Sequence, residues 1–290
     1  MSDDRDPSAA EAGTLTLGGD LEVRRMGFGA MRVTGEGIWG PPEDEAEAKR
    51  VLRRAVELGV DFIDTADAYG PDVSERLIAE ALHPYPEGLV IATKGGLTRS
   101  GPDEWHLDGR PEHLREALEG SLRRLKLEQI DLYQFHRPDP DVPLEESLGC
   151  LVELREQGKI RHIGVSNVDV GQLETAVRVA DVVSVQNRYN LRDRDAGDVL
   201  EACEDRGLAF LPWFPLAAGP LAEGEGPVAE VARELDATPA QVALAWLLER
   251  SPVTLPIPGT SSVEHLEENV AAGGLELSRE QLEALEGAPV

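Results

Sequence analysis

Apolar runs of strand length alternate with longer amphipathic segments from residue 26 to the end of the chain. Between residues 44 and 58, apolar side chains recur every three or four positions, which is typical of a helix with one buried face, and Gly59 provides a helix stop. The same pattern predicts strands over residues 26–33, 62–65, 89–94, 130–136, 160–165, 182–186, 208–213 and 253–257. It predicts helices over residues 44–58, 73–82, 111–125, 144–157, 169–179, 194–206, 227–249, 262–271 and 278–285.

The repeated strand–helix unit defines the predicted architecture. Short connections between such units imply parallel strands, and eight units favour a closed (β/α)8 TIM barrel over an open α/β sheet. Residues 14–25 fall outside the repeat and are predicted to form a β-hairpin at the amino-terminal end of the barrel. The polar residues 1–12 are predicted to be a disordered tail, and because no linker divides the remainder, residues 13–290 are predicted to be one domain.

Composition narrows the range of partners. The chain carries 28 Lys and Arg against 55 Asp and Glu, a formal net charge of −27, which disfavours binding to nucleic acid or anionic lipid. It contains neither a signal-peptide pattern nor an apolar run approaching the roughly 20 residues of a membrane span. We therefore expect a cytoplasmic monomer. Cys150 and Cys203 lie in amphipathic helical patterns and are predicted to be buried thiols, with no disulfide or metal site.

Three predicted strands end in ionisable residues, and these carry the candidate chemistry. Asp64, Lys94 and His136 terminate them, and Tyr69 lies in the turn beyond the first. Parallel barrel strands bring their carboxyl ends to one face, so we expect the four side chains to meet in one pocket. Each residue alone has an ordinary structural explanation, such as a half-buried turn tyrosine or a core histidine. Their occurrence at successive strand ends favours a functional one.

The four residues suit the reduction of a carbonyl group. Hydride delivery to a carbonyl creates an alkoxide, which requires a proton donor, and Tyr69 is the predicted general acid. An ammonium group stabilises a phenolate, so we predict that Lys94 lowers the pKa of Tyr69. Asp64 is predicted to keep Lys94 charged and oriented. His136 is predicted to bind the substrate oxygen or to share in proton transfer.

Residues 35–40 also match the glycine pattern G-x-G-x-x-G of dinucleotide-binding sheets. In that fingerprint the helix begins inside the glycine pattern, so that its amino terminus faces the pyrophosphate. Here Pro41 and Pro42 follow the last glycine and bias the chain away from helix, so the helix should begin near Asp44. We therefore interpret these glycines as part of a loop.

Seven short motifs occur in the order found in aldo-keto reductases, and the chain resembles that family from about residue 26 to residue 283. They are Asp64-Thr-Ala-Asp-Ala-Tyr69, Ala92-Thr-Lys-Gly95, Gln134-Phe-His136, Gly164-Val-Ser-Asn167, Val185-Gln-Asn187, Trp213-Phe-Pro-Leu216 and Ile257-Pro-Gly-Thr260. Within the family the chain is most similar to the bacterial branch that contains pyridoxal reductases. The stretches Gly27-Phe-Gly-Ala-Met31, Trp39-Gly-Pro-Pro42 and Ile257-Pro-Gly-Thr-Ser-Ser262 carry this similarity.

The resemblance implies a nicotinamide cofactor and the residues that bind it. Ser166, Asn167 and Gln186 are implied to hydrogen-bond the carboxamide, and Trp213 to stack on the nicotinamide ring. The remaining implied cofactor contacts are Met31, Phe214, Pro215, Leu216, Ile257, Gly259, Thr260, Ser261, His265, Glu268 and Asn269. Gly259, Thr260 and His265 stand where many relatives have a Lys-Ser pair and an Arg for the 2′-phosphate. We favour NADPH and keep NADH as the alternative.

The substrate is the least constrained part of the prediction. Trp39 and Trp105 lie in loops after strands and are predicted to line the substrate pocket, although ordinary loop packing explains them equally well. The chain lacks the long carboxyl-terminal loop of the steroid-reducing branches, which suits small aldehydes, ketones or pyridoxal, and Asp103, Glu104 and Asp108 disfavour anionic substrates. One alternative is an NADPH-binding redox-sensing regulatory subunit with slow turnover. Another is a barrel enzyme that forms a Schiff base on Lys94.

Overall fold

The computed structural model describes residues 6–216 and 226–287. Its strands are β1 (Thr14–Leu17), β2 (Leu21–Arg24), β3 (Phe28–Gly29), β4 (Phe62–Asp64), β5 (Val90–Gly95), β6 (Leu97–Gly101), β7 (Glu104–Leu107), β8 (Ile130–Phe135), β9 (Ile160–Ser166), β10 (Ser184–Gln186) and β11 (Ala209–Phe210). Its helices are α1 (Glu45–Glu57), α2 (Val73–Leu82), α3 (Pro111–Leu125), α4 (Leu144–Glu156), α5 (Val170–Ala180), α6 (Gly197–Arg206), α7 (Pro227–Glu234), α8 (Pro239–Arg250), α9 (Val263–Ala271) and α10 (Arg279–Glu286).

Seven parallel strands form the central sheet, in the spatial order β3, β4, β5, β8, β9, β10, β11. Residues 253–258 join its two edges. On one side Phe210 N donates to Val253 O at 2.8 Å, and on the other Gly29 N donates to Pro258 O at 3.1 Å. This segment occupies the place of the eighth strand and closes the sheet. The predicted (β/α)8 barrel is therefore confirmed.

The eighth strand itself differs from the prediction. Within residues 253–257 a single isolated bridge, between Thr254 and Phe210, replaces the predicted strand. The reason is the proline content: Pro252, Pro256 and Pro258 have no backbone N–H and cannot donate to a ladder. The first predicted strand is also short, since β3 gives way to a 3-10 turn over Ala30–Val33.

Helix boundaries follow the capping residues. Asp44 accepts a hydrogen bond from Glu47 N and starts α1, as the two prolines before it require. The region 227–249, predicted as one helical stretch, contains two helices. Thr238 and Gln241 form a capping box at the start of α8, and Pro239 occupies its first position, so a new helix begins there.

The amino-terminal residues cover one end of the barrel. In the antiparallel hairpin β1–β2, Leu17 and Val23 are buried and pack with Phe62 and Val90, which begin β4 and β5. The predicted disordered tail is wrong for the residues just before this hairpin. Ala9–Ala12 forms a 3-10 helix that Ser8 caps, and its small side chains fit against the barrel wall. Residues 1–5 lie outside the described part.

A second hairpin, β6–β7, was not predicted and lies directly after β5. Its turn contains Pro102 and Asp103, and the positive φ of Asp103, 56°, is typical of a tight turn. The dipeptide Gly101-Pro102 is the sequence signal for this turn. The hairpin extends from the carboxyl end of the barrel, so it forms part of the rim around the site.

Two further observations concern the described residues as a whole. Cys150 and Cys203 are buried free thiols, as predicted, and burial raises the pKa of Cys203 to about 12. Across residues 6–216 and 226–287, no helix combines the length and the apolar character that crossing a bilayer requires.

Candidate active site

The structure brings the four predicted catalytic residues together at the carboxyl end of the barrel. Asp64 ends β4, Lys94 lies near the end of β5, and His136 follows β8. His136 N donates to Gly95 O at 3.0 Å, which extends the pairing of these two strands and holds the histidine at the rim. Tyr69 lies in the turn after β4 and is 6% exposed.

The Lys94 ammonium is fully buried and uses all three of its donors. Nζ donates to Asp64 Oδ2 at 2.6 Å, to Thr65 O at 2.8 Å and to Tyr69 Oη at 3.2 Å. Burial by itself lowers the pKa of Lys94, but Asp64 and Tyr69 together outweigh it, so that the pKa is raised above its ordinary value. Lys94 is therefore a permanent cation beside the phenol at neutral pH.

The second oxygen of Asp64 is held by two amides. Oδ1 accepts from Gln134 Nε2 at 2.9 Å and from Gln186 Nε2 at 2.8 Å. Gln134 had no predicted role. The sequence could have identified it, because strand alternation places residues 134 and 136, near and just beyond the end of β8, on the same face of the sheet. These bonds orient the carboxylate that keeps Lys94 charged.

Lys94 lowers the pKa of Tyr69, as predicted, but it does not decide the net direction. Burial raises the pKa of Tyr69, the Lys94 ammonium opposes this, and the net pKa lies above the ordinary value of 10.0. The negative charge of Asp64 adds to the effect of burial, and burial is the larger cause. The phenol consequently stays protonated at neutral pH. Its oxygen accepts from Lys94, which leaves its own proton for another acceptor.

His136 is neutral at physiological pH. Burial together with the charges of Lys94 and Arg137 moves the pKa of His136 well below its ordinary 6.5. Its ring lies edge-on to Tyr69, with the ring centres 5.9 Å apart. Nδ1 is buried and has no hydrogen-bond partner within the described ranges. A neutral imidazole carries one N–H, which suits donation to a substrate oxygen.

A cavity of about 990 Å³ opens above these residues. Asp64, Tyr69 and His136 line it, while Lys94 lies beneath the surface. The predicted cofactor residues that line the cavity are Met31, Ser166, Asn167, Gln186, Trp213, Phe214, Pro215, Leu216, Ile257, Gly259 and Glu268. The predicted residues that the structure places outside this lining are Thr260, Ser261, His265, Asn269 and Trp39.

A chain of hydrogen bonds joins the predicted nicotinamide contacts. Trp213 Nε1 donates to Asn167 Oδ1 at 3.1 Å, and Asn167 Nδ2 donates to Ser166 Oγ at 2.9 Å and to His136 O at 3.1 Å. Asn167 and Phe214 have φ values of 58° and 60°. Non-glycine residues in this left-handed region occur preferentially at ligand sites, because the conformation has an energetic cost.

Another part of the cavity lining, beside β3, is close-packed backbone. A Cβ atom on Gly29 would lie 2.6 Å from Ile257 O, and one on Gly259 would overlap Gly29 O. Arg32 lines the cavity beside this contact and was not predicted; the side chain of Arg32 lies 3.6 Å from the position of that Gly259 Cβ. His265 is exposed on the first turn of α9. This part of the lining thus offers one arginine and several backbone groups.

The β6–β7 hairpin contributes a mainly apolar and aromatic part of the cavity lining, with Asp103 in its turn. Trp105 in β7 lines the cavity together with Leu97 and Leu107. The Trp105 ring lies edge-on to Tyr69, with centres 6.4 Å apart, and 6.5 Å from the ring of His136. Trp39 pairs with Gly70 outside the cavity. Within residues 6–216 and 226–287, no group of three or more His, Cys, Asp or Glu side chains is arranged to hold a metal ion.

Comparison with known proteins agrees with this architecture. The aldo/keto reductase family model matches residues 25–288. An uncharacterized oxidoreductase of Schizosaccharomyces pombe is 53% identical over 94% of this chain and 88% of its own length. Pyridoxine 4-dehydrogenase of Escherichia coli is 44% identical, covering 94% of this chain and 97% of that protein.

Comparison with a solved structure supports the same fold. An aldo/keto reductase of Klebsiella pneumoniae, in complex with NADP and acetate, superimposes with a TM-score of 0.80 at 30% identity, covering 94% of this chain and 93% of the other. The barrel and its strand-end residues define an NAD(P)H-dependent oxidoreductase that acts on carbonyl groups. The chain belongs to the aldo/keto reductase family.

Proposed function

We propose that the protein reduces small aldehydes and ketones to alcohols with NADPH, and that Tyr69 is the general acid. The observation that carries this proposal is the position of the Lys94 ammonium, buried between the Asp64 carboxylate and the Tyr69 hydroxyl at the base of the cavity. A buried ammonium has its largest effect where negative charge develops on a neighbouring oxygen. Proton donation by Tyr69 creates that charge.

The cavity fits a nicotinamide dinucleotide. Its volume of about 990 Å³ is at the upper end of the range for small-molecule sites. Ser166, Asn167 and Trp213 line the cavity, and the side-chain oxygens of Ser166 and Asn167 retain lone pairs that can accept from the NH2 of a carboxamide. Arg32 also lines the cavity and supplies a cation that can contact a phosphate. The NADP complex of the Klebsiella relative supports NADPH, with NADH as the second choice.

A bound NADPH would supply the hydride, and Tyr69, Lys94 and His136 would orient the carbonyl and protonate its oxygen. His136, neutral, donates a hydrogen bond to the carbonyl oxygen and orients it toward Tyr69. Tyr69 Oη releases its proton to the alkoxide oxygen as the hydride arrives. Lys94 Nζ, 3.2 Å away, stabilises the phenolate that remains. Trp105 and the buried Leu97 form an apolar side of the cavity next to the reacting groups.

Pyridoxal is the leading specific substrate. The E. coli relative is named as a dehydrogenase of pyridoxine, and reduction of pyridoxal to pyridoxine is the reverse of such a reaction. The wall formed by Trp105, Leu97 and Leu107 suits a planar aromatic ring. That the protein acts in the cytoplasm as a monomer remains a prediction.

The test is an assay with pyridoxal and NADPH on wild type and Tyr69→Phe. Loss of the general acid should reduce kcat by about 10²- to 10⁴-fold, with NADPH affinity retained. Tyr85→Phe is the matched control, because the Tyr85 hydroxyl donates to Leu125 O, a residue that ends α3, and Tyr85 does not line the cavity. Equal rates for wild type and Tyr69→Phe would contradict the assigned acid. Release of NADP much slower than turnover of every aldehyde would favour the regulatory-subunit alternative.

A further inference from the structure

Arg99, in β6 beside the cavity, donates all five of its side-chain N–H groups to backbone carbonyls. Nη1 donates to Ile38 O at 2.8 Å and Ala68 O at 3.3 Å, Nη2 to Gly37 O at 2.8 Å and Gly101 O at 3.2 Å, and Nε to Glu104 O at 3.1 Å. Arg99 forms no salt bridge with any residue in the described ranges. All of its hydrogen-bond acceptors are therefore backbone carbonyls, and the nearby Asp103 carboxylate adds a favourable longer-range field.

The five carbonyls belong to three separate parts of the rim. Gly37 and Ile38 lie in the loop between β3 and α1, Ala68 immediately precedes the catalytic tyrosine, and Gly101 and Glu104 flank the turn of the β6–β7 hairpin. Gly37 and Ile38 also line the cavity. One guanidinium group thus connects the segments that surround the substrate side of the site.

The same guanidinium lies over the Trp105 ring. The Arg99 Cζ atom is 3.6 Å from the centre of the Trp105 ring, a close cation–π contact, and 5.8 Å from that of Trp39. Trp105 in turn lies edge-on to Tyr69 and His136, with ring centres 6.4 and 6.5 Å apart. The position of the tryptophan relative to the catalytic groups therefore depends on Arg99.

We propose that Arg99 is a positioning residue that preorganises a wall for planar aromatic carbonyl substrates. This proposal rests on the proposed reductase function and goes beyond it by assigning how the substrate side is held. Arg99 touches neither the phenol nor the Lys94 ammonium, which Asp64 holds independently. Its loss should therefore weaken substrate binding more than it slows the chemical step.

The variants Arg99→Lys and Arg99→Ala separate charge from planar geometry. Lysine retains the charge but has three donors and no flat face, so it cannot replace the fork that bonds five carbonyls. Both variants should raise KM for benzaldehyde or pyridoxal about tenfold or more, since small displacements of positioning groups have effects of this size. Values of kcat and the NADPH dissociation constant should stay close to wild type, and KM for propanal should change little.

Chemical rescue supplies a second measurement. Millimolar guanidinium ion should restore the benzaldehyde KM of Arg99→Ala, because it can refill the site between the carbonyls and the indole ring. Arg155→Ala is the matched control: Arg155 Nη1 donates to the single carbonyl of Ala180, on α5 away from the cavity, and its loss should leave both KM values unchanged.

An unchanged benzaldehyde KM in Arg99→Ala, equal KM increases for benzaldehyde and propanal, or full activity in Arg99→Lys would each overturn the proposal. If Arg99→Ala does not fold, the variants Trp105→Leu, Arg99→Lys and Trp105→Leu/Arg99→Lys decide: a KM increase from Arg99→Lys that is as large without Trp105 as with it overturns the proposal, and a clearly smaller increase without Trp105 supports it. The Tyr69→Phe comparison tests the reductase function separately. If the wild type reduces no aldehyde, the affinity of the cofactor complex for pyridoxine is measured by fluorescence titration instead. Equal affinities of wild type and Arg99→Lys for pyridoxine would overturn the proposed role of Arg99.

Discussion

Replacing Lys94 with methionine tests the central interaction of the site. Methionine keeps an unbranched chain of similar length in a position with no solvent exposure, but it removes the ammonium. The three hydrogen bonds to Asp64, Thr65 and Tyr69 are lost together. The substitution should therefore affect both the rate of proton donation and the stability of the fold, and the two effects can be separated.

The effect on rate follows from the distance between the ammonium and the phenol oxygen. At an effective dielectric constant of about 20, two unit charges 3.2 Å apart attract by about 5 kcal/mol. With about half of the phenolate charge developed in the transition state, the ammonium lowers the barrier by about 2.5 kcal/mol, or close to a hundredfold in rate. We expect the single-turnover rate of Lys94→Met to fall by that factor.

The effect on stability follows from the carboxylate left behind. Without Lys94, Asp64 keeps only the amide donors of Gln134 and Gln186. Removing one partner of a buried ion pair destabilises a protein by about 3–5 kcal/mol, which for a chain of this size lowers Tm by roughly 10 °C. Adding Asp64→Asn removes the unpaired charge, so the double variant should regain most of that stability while the rate stays low.

Stopped-flow measurement of nicotinamide absorbance gives the rate, and calorimetry gives Tm for wild type, the single variant and the double variant. The electrostatic reasoning is refuted if Lys94→Met transfers hydride at the wild-type rate. It is equally refuted if Lys94→Met/Asp64→Asn recovers the rate together with the stability, because a site that is only structural would behave in that way.

Two further substitutions test the surroundings of the site. Asp67 is buried, and its Oδ1 has no hydrogen-bond partner in the described ranges. Burial raises the pKa of Asp67 well above 3.8. Between the ordinary and the raised pKa, the folded chain therefore holds a proton that the unfolded chain has lost. Stability then falls as pH rises above the ordinary pKa, and Asp67→Asn should increase Tm more at pH of about 8 than at about 5; equal increments would contradict the assignment. In Gly259→Ala the new Cβ atom would overlap Gly29 O, so NADPH binding measured by fluorescence titration should weaken. Gly149→Ala is the control, because a Cβ atom at that position of α4 meets open space. It should add about 0.5–1 kcal/mol of stability and leave NADPH binding unchanged. Unaltered affinity in Gly259→Ala would contradict the close packing.

Much of the fold and the approximate place of the site could be predicted from the chain alone. Apolar periodicity identifies barrel strands and helices because each element buries one face or both. The convergence of Asp64, Lys94 and His136 follows from topology, since parallel strands share one carboxyl end. Capping residues such as Asp44 and Thr238 define helix starts through local hydrogen bonds, which act over only a few residues.

Other features depend on contacts between residues far apart in sequence. The prolines that interrupt the last strand lie in a segment that still closes the barrel, through bonds to Phe210 and Gly29. Trp39 and Trp105 look alike as loop tryptophans, yet only Trp105 lines the cavity, because Arg99 and the β6–β7 hairpin hold it there. No local sequence pattern indicates that Trp105 lines the cavity and Trp39 does not.

By itself, the chain determined a barrel with an acid–base cluster at one end, because hydrophobic periodicity and strand-end chemistry are local properties. The tertiary structure decided the protonation of that cluster and the shape of its substrate side. The pKa of Tyr69 depends on the balance between desolvation and the fields of Lys94 and Asp64, and that balance is set only when the three groups are buried together.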